Sequence, residues 1–330
     1  MTTDTVVSPE MLKIDPKATA HEIEEAIREI VFGKLKRRGV VIGLSGGVDS
    51  STCAALCARA LGRDRVMGLF LPEEEGSSDC LRLGQLLADA LGIQTREENI
   101  TPILTAAGCY RRRDEAIREV IPEYDAEYKC KIVLSNMVSG AAYALFTVVV
   151  QSPQGTITCR RLTAEAYLGI VAATNFKQRT RKMIEYYYAD RLHSAVVGTP
   201  NRLEYDQGFF VKNGDGAADL KPIAHLFKSQ VYQLAEYLGV PEEIRRRPPS
   251  TDTYSLEQTQ EEFYFSLPYE TMDLCVWARD RGVAPAALAP TGLTEEQAGR
   301  AFRMIDSKRK AADYLHMPAL GLKDVAPHKP

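Results

Sequence analysis

Val40-Val41-Ile42-Gly43-Leu44-Ser45-Gly46-Gly47-Val48-Asp49-Ser50-Ser51 is the stretch on which the reading of this chain turns. Val40, Val41 and Ile42 are apolar and β-branched, which predicts a buried strand. Ser45-Gly46-Gly47 breaks that strand, and residues 50–61 then read as a helix. Such a turn leaves backbone N–H groups pointing outward, and the helix dipole adds roughly half a positive charge. The two glycines let a phosphate come close to the backbone. The hydroxyls of Ser45, Ser50 and Ser51 add donors. Asp49 is the odd member, because a carboxylate beside an anion site is repulsive unless a cation lies between. That points to Mg²⁺ bridging Asp49 to phosphate oxygens. A bare Gly-Gly turn is common in α/β folds and says little. The full S-G-G-x-D-S string is much more specific, and it lacks the lysine of the Walker A loop.

The composition bounds what surrounds this loop. The chain has 330 residues and 45% hydrophobic content, enough for one large α/β domain or two smaller ones. Its formal net charge of -3 gives no global basic field of the kind that nucleic-acid binders carry. No run reaches the roughly 18 apolar residues of a membrane span. Residues 1–17 are polar, without the apolar centre of a signal peptide, and are expected to form a flexible lead. The seven cysteines are scattered and include no C-x-x-C pair. Reduced thiols in a cytoplasmic protein fit this better than a disulfide framework or a zinc site. Cys53 and Cys57, four apart on the helix after the loop, are expected to be buried.

Outward from the loop, the pattern alternates. Residues 18–37 predict an amphipathic helix, with Ile23, Ile27, Ile30, Val31 and Leu35 at helical spacing. Residues 65–71 predict a second buried strand. The glutamates Glu73, Glu74 and Glu75 read as a solvated loop. Residues 78–91 predict a helix stopped by Gly92, and 93–100 a more polar strand nearer an edge. This β-α-β-α-β order predicts a doubly wound parallel sheet with right-handed crossovers. Ligands bind such sheets at the carboxyl ends of strands, where the Ser45 loop lies. Further on, residues 110–119 predict a helix on which Arg111, Arg112 and Arg113 form a solvated face. Residues 147–150 and 156–159 predict a β-hairpin. Residues 175–189 predict a helix with Met183, Ile184, Tyr187 and Tyr188 turned inward. Residues 194–199 predict another buried strand, with Glu204 just beyond its end. A glycine-broken loop covers 209–219, and helices are expected over 227–238 and 294–314. The basic stretch 245–249 is expected to be non-helical, and 256–270 to hold a short helix.

The loop resembles the pyrophosphate loop of the N-type ATP pyrophosphatases, which cleave ATP between the α- and β-phosphates. Three further blocks, V-G-T-P-N-R-L-E (197–204), G-F-F-V-K-N-G-D-G-A-A-D (208–219) and K-P-I-x-x-L-x-K (221–228), resemble the NAD synthetase family within that group. N-F-K-Q-R-T-R (175–181) does so too, and the resemblance spans roughly residues 15–255. It implies a Rossmann-like sheet in one domain over 18–330, with an insertion at about 109–174 and a helical C-terminal part. It also implies ATP-dependent amidation of nicotinic acid adenine dinucleotide to NAD⁺ through an acyl-adenylate, with ammonia as nitrogen donor, free or from a separate glutaminase. By resemblance, Gly43, Leu44, Ser45, Gly46, Gly47, Val48, Asp49 and Ser50 hold ATP together with Thr199, Lys228 and Ser250. Asp49 and Glu204 hold Mg²⁺, and Asp49 and Lys228 are catalytic. Arg179, Lys212, Asp219 and the pair Ser307-Lys308 meet the dinucleotide. The resemblance also implies a homodimer. Two other readings compete: an amide ligase for another carboxylic acid, motivated by the insertion, and a nucleotide-binding module without catalysis. Retention of Ser45, Asp49, Glu204 and Lys228 argues against the second.

Overall fold

Asp15 opens the first helix by taking N–H bonds from Lys17 and Ala18, with Pro16 at the first helical position. This helix, α1 (Pro16–Arg28), continues as a wider turn over Glu29–Lys34 and buries Ile23, Ile27 and Val31. The computed structural model describes residues 6–134, 146–249 and 253–321. Part of the expected flexible lead is packed instead. Val7 and Leu12 are buried, and Val7 donates its N–H to the Ala287 carbonyl. Gln233 then clamps the Leu12 carbonyl and the Ile14 N–H. Val7 and Leu12, with Met11 packed beside them, dock this segment on the core.

The predicted alternation is present. Strand β1 (Val40–Gly43) leads through the loop into α2 (Val48–Leu61), two residues earlier than expected, and α2 ends at Gly62. Then follow β2 (Val66–Phe70), α3 (Ser78–Leu91) and β3 (Gln94–Glu97). Short helices α4 (Thr101–Ala106) and α5 (Cys109–Arg118) come next. A separate antiparallel sheet holds β4 (Lys129–Leu134), β5 (Phe146–Gln151) and β6 (Ile157–Arg161), so the predicted hairpin stands as β5–β6. Helix α6 (Ala164–Leu192) has 29 residues, far longer than predicted, and leads to β7 (Ala195–Val196). Helices α7 (Arg202–Gln207), α8 (Lys228–Tyr237), α9 (Glu242–Arg246), α10 (Tyr269–Asp280) and α11 (Glu295–His316) complete the order. Arg245 and Arg246 thus close α9 rather than lying outside any helix. The short helix expected within 256–270 is a wide turn over Glu261–Phe265.

The main sheet runs β3-β2-β1-β7 with every pairing parallel, and polar β3 at an edge as predicted. The chain leaves β1 toward β2 on one side and returns to β7 on the other. The switch point therefore falls between β1 and β7, and a crevice opens beyond their carboxyl ends. Core side chains of α1, α2 and α8 cover one face of the sheet. Val41, Leu69 and Val196 pack on the other face with Tyr188 and Ala189 of α6. A second core joins Val7 and Leu12 to α10 and α11. Among the described residues no helix is long and apolar enough to cross a membrane.

Three expectations about side chains are overturned. Met183 and Tyr187 on α6 are exposed, not turned inward. The inner side of α6 is taken by Lys177, Lys182 and Glu185, charged residues buried because they are paired. Glu73 and Glu75 do not form a solvated loop. Lys177 Nζ donates to Glu73 Oε1 at 2.9 Å and to Glu75 Oε2 at 2.7 Å, and the Glu73 side chain has no exposure. Arg113 is buried too: it binds Glu75 at 2.6 Å and Asp114 at 2.7 Å, while Arg111 and Arg112 stay on the solvated face. Tyr110 donates its hydroxyl to Glu73 at 2.7 Å. This network pins the loop after β2 to α5 and α6 across gaps of up to 104 residues.

Breaking such a network strands a charge in low dielectric. Lys177→Met is expected to cost about 3–5 kcal/mol in urea unfolding, with part recovered by adding Glu73→Gln. A loss under about 1 kcal/mol would contradict this description of the network.

Candidate active site

The crevice at the switch point is a cavity of about 1660 Å³. The carboxyl end of β1 delivers Gly43, Leu44 and Ser45 to it, and the first turn of α2 delivers Val48, Asp49 and Ser50. Ser50 Oγ lies 3.1 Å from Ser45 Oγ and donates to the Gly47 carbonyl at 3.1 Å, which sets the curvature of the loop. Gly46 does not line the cavity. Its φ of +72° and the Cys80 carbonyl 2.7 Å from where a Cβ would stand make glycine necessary there.

Asp49 and Lys228 meet in this cavity. Lys228, in the first turn of α8, donates its ammonium to Asp49 Oδ2. The lysine side chain is 1% exposed and the aspartate 16%, so the pair opens to the cavity at its acidic end. Burial works against the ammonium charge, but Asp49 and Glu204 outweigh it and hold Lys228 above its ordinary pKa. Asn201 Nδ2 reaches Asp49 Oδ1 at 3.4 Å. Asn201 also starts α7: its side chain accepts from the Leu203 and Glu204 N–H groups, and Glu204 Oε2 accepts from the Asn201 N–H at 3.1 Å. This capping box aims Glu204 into the cavity. Burial, then the charge of Asp49, pushes the Glu204 carboxyl up to about 8. Two carboxylates side by side, relieved by one ammonium, are a donor set that suits a hard divalent cation. Among the described residues no cluster of three or more metal-ligating side chains exists, so Asp49 and Glu204 would have to be completed by phosphate oxygens and water.

The other predicted residues divide. Thr199, Arg179, Lys212, Ser307 and Lys308 all line the same cavity. Arg179 Nε donates to the Lys212 carbonyl at 3.3 Å, and Lys212 Nζ holds the carbonyls of Tyr314 and Met317 at 2.7 and 2.8 Å. The loop over 209–219 is thereby tied to the end of α11. Lys308 donates to the Tyr264 carbonyl and sits 4.0 Å from the centre of the Tyr264 ring. It has no carboxylate partner among the described residues, and burial pushes its ammonium down to about 7. Asp219 does not line the cavity. It accepts the Val196 N–H at 2.7 Å and the Tyr186 hydroxyl at 3.4 Å, which fastens the loop to β7. Asp215 shapes the turn by accepting the Val211 N–H at 2.7 Å. Ser250 lies outside the described residues. Cys53 and Cys57 are buried as expected, and none of the seven cysteines is in a disulfide.

Asn201 was missed by the sequence reading, although N-R-L-E carries the spacing of a capping box. The pair Lys182–Glu185, at 2.6 Å beside Gly43, gave no signal, because a buried ion pair looks like a solvated i,i+3 pair in sequence.

The chain matches the family model for NAD synthase over residues 19–123 and 152–311. The unmatched stretch 124–151 holds β4 and β5. The chain is 58% identical over 320 residues to an NH₃-dependent NAD⁺ synthetase of Rhizobium rhizogenes, covering 97% of this chain and 96% of that one. It is 38% identical to the enzyme of that name from Thermotoga neapolitana, over 76% and 79% of the two chains. Among solved structures, the fold is similar to an NMN synthetase from Francisella tularensis (TM-score 0.65, 22% identity, 94% and 99% of the chains covered). It is similar also to an NH₃-dependent NAD synthetase from Campylobacter jejuni (TM-score 0.60, 22% identity, 94% and 100% covered). With the loop, the carboxylate pair and the cavity in place, and with this extent of matching, the chain belongs to the NAD synthase family.

Proposed function

We propose that this chain is a ligase that joins ammonia to the nicotinate carboxylate of nicotinic acid adenine dinucleotide, with ATP as co-substrate, giving NAD⁺, AMP and pyrophosphate. The observation that carries the proposal is the meeting of the Ser45 loop, Asp49, Glu204 and Lys228 in one cavity that also holds Arg179, Lys212 and Lys308. The names of relatives at 58% and 56% identity support the same reading.

A carboxylate is a poor electrophile, so it must first gain a leaving group. Its oxygen attacks the α-phosphorus, and the bond to the β-phosphate oxygen breaks as pyrophosphate departs. Nitrogen then attacks the acyl carbon, the bond to AMP oxygen breaks, and the proton carried by nitrogen is lost. The first step brings two anions together, so the site must neutralise charge. The loop N–H groups and the α2 terminus hold the departing pyrophosphate. Lys228 supplies a buried ammonium already held at the cavity wall by Asp49. Asp49 and Glu204 would hold Mg²⁺, which supplies charge neutralisation at the phosphates when bound. Arg179, Lys212, Ser307 and Lys308 bind the dinucleotide, and Lys308 faces its negative charge. A homodimer fits the exposed Met183 and Tyr187 on α6, which a second copy would cover. Seven cysteines without a disulfide fit a cytoplasmic setting.

Steady-state turnover decides the reading. Nicotinic acid adenine dinucleotide with ammonia is expected to give NAD⁺, and glutamine in its place to give none. Turnover only with another acid from a panel that includes the mononucleotide acid would overturn the substrate. Asp49→Asn is expected to lower kcat by about 10²-fold or more without loss of fold, read by circular dichroism. Unchanged turnover would remove Asp49 from the site. Lys308 gives a pH signature. Its lowered pKa means the cation is present below about 7 and lost as pH rises through that value. In acid-dependent ATP–pyrophosphate exchange, kcat/KM for the dinucleotide is therefore expected to fall as pH rises through about 7, and Lys308→Arg to flatten that limb. A limb that persists in Lys308→Arg would contradict the assignment.

A further inference from the structure

Lys228 carries a demand that its own helix does not meet. It sits in the first turn of α8, where the dipole disfavours a cation and where backbone N–H groups have no intrahelical partners. The residue before it, Phe227, takes the Gln230 and Val231 N–H groups on its carbonyl but has no side-chain oxygen for those of Lys228 and Ser229. The N–H groups of Lys228 and Ser229 are met from α10, 45 residues from Lys228 in sequence. Asp273 Oδ1 accepts the Lys228 N–H at 3.3 Å, and its Oδ2 accepts both the Ser229 N–H at 2.8 Å and the Ser229 hydroxyl at 2.7 Å. Asp273 has no solvent exposure. One helical turn before it on α10, Tyr269 places its ring 5.4 Å from the Lys228 ammonium. Tyr269 in turn donates its hydroxyl to Gln260. A single face of α10 thus holds Lys228 at its backbone and at its charged end.

We infer that Asp273 is a positioning residue for the adenylation step, fixing the first turn of α8 so that Lys228 reaches Asp49 and the phosphates. A buried carboxylate is costly, and burial pushes this one up to about 6 even with three donors on it. An apolar residue would fill the same place at less cost if only packing were needed. The aspartate also sets a negative charge at the α8 terminus, which offsets the dipole that would otherwise repel the ammonium. Asp273 touches neither Asp49 nor the cavity; it acts through Lys228.

This rests on the assignment of Lys228 given above, and a double-mutant cycle separates the two. The measured quantity is acid-dependent ATP–pyrophosphate exchange with the full chain. Asp273→Asn keeps the size of the side chain but turns an NH₂ toward N–H donors. It is expected to lower exchange by about tenfold or more. In a Lys228→Ala background the same change is expected to cost nothing further. A structural role alone predicts that both losses multiply, and that outcome overturns the inference. So does wild-type exchange in Asp273→Asn. If Asp273→Asn does not fold, Ser229→Ala replaces it: it removes one donor and leaves no charge unpaired. A smaller fall that vanishes in the Lys228→Ala background supports the inference, and one that multiplies, or no fall at all, overturns it. Absence of exchange in the wild type would instead refute the proposed reaction, and wild-type exchange in Lys228→Ala would refute the role of that lysine.

Discussion

The ion pair between Lys228 and Asp49 is the interaction around which the cavity is organised. It joins the first turn of α8 to the first turn of α2 across 179 residues of sequence. Both helices present N-terminal dipoles to the same cavity, so each favours an anion there. The lysine is almost entirely out of water, and such a pair gains little for stability once desolvation is counted. In the proposed reaction its value is chemical: it would store a cation beside the place where phosphate charge must be neutralised. Glu204 presses on the same balance from α7, and Asn201 holds both Asp49 and Glu204.

The layers around the pair serve to keep it in register. The main sheet places the loop after β1 at the switch point. Arg202 on α7 and Arg309 on α11 both bind Asp280 on α10, and Arg309 also binds Asp206 on α7. The helices that bear Glu204 and Lys308 are therefore tied to the helix that grips Lys228. On the other flank, Lys177 fastens the loop after β2 and also holds the Thr253 carbonyl at 2.9 Å. Two rims of the cavity thus hang on one buried ammonium.

Much of this was legible in the sequence, and for a physical reason. The β-branched run at Val40 to Ile42, the glycines after it and the alternation through Gly92 are local signals, and they predicted a parallel sheet with its loop at the ligand edge. The motif residues Asp49, Thr199, Glu204 and Lys228 all arrive in one cavity. What sequence does not show is pairing over distance. Glu73 and Arg113 read as solvated because nothing local reveals Lys177 or Glu75 as partners. Met183 and Tyr187 read as buried because apolar residues at helical spacing usually are, whereas here paired charges take the inner side of α6. Asp219 carries a motif position, yet its carboxylate fastens β7. Within 109–174 the hairpin β5–β6 was legible from its turn, whereas the third strand, β4, shows only in its pairing with β5.

In the proposed reaction the acid's carboxylate attacks the α-phosphate of ATP in the cavity built around Lys228 and Asp49. Isotope transfer tests it directly. With nicotinic acid adenine dinucleotide labelled by ¹⁸O in the nicotinate carboxylate, turnover with ammonia should leave one labelled oxygen in the phosphate of AMP, read by mass spectrometry. Label absent from AMP, or found in pyrophosphate, would contradict attack at the α-phosphorus and with it this account of the site.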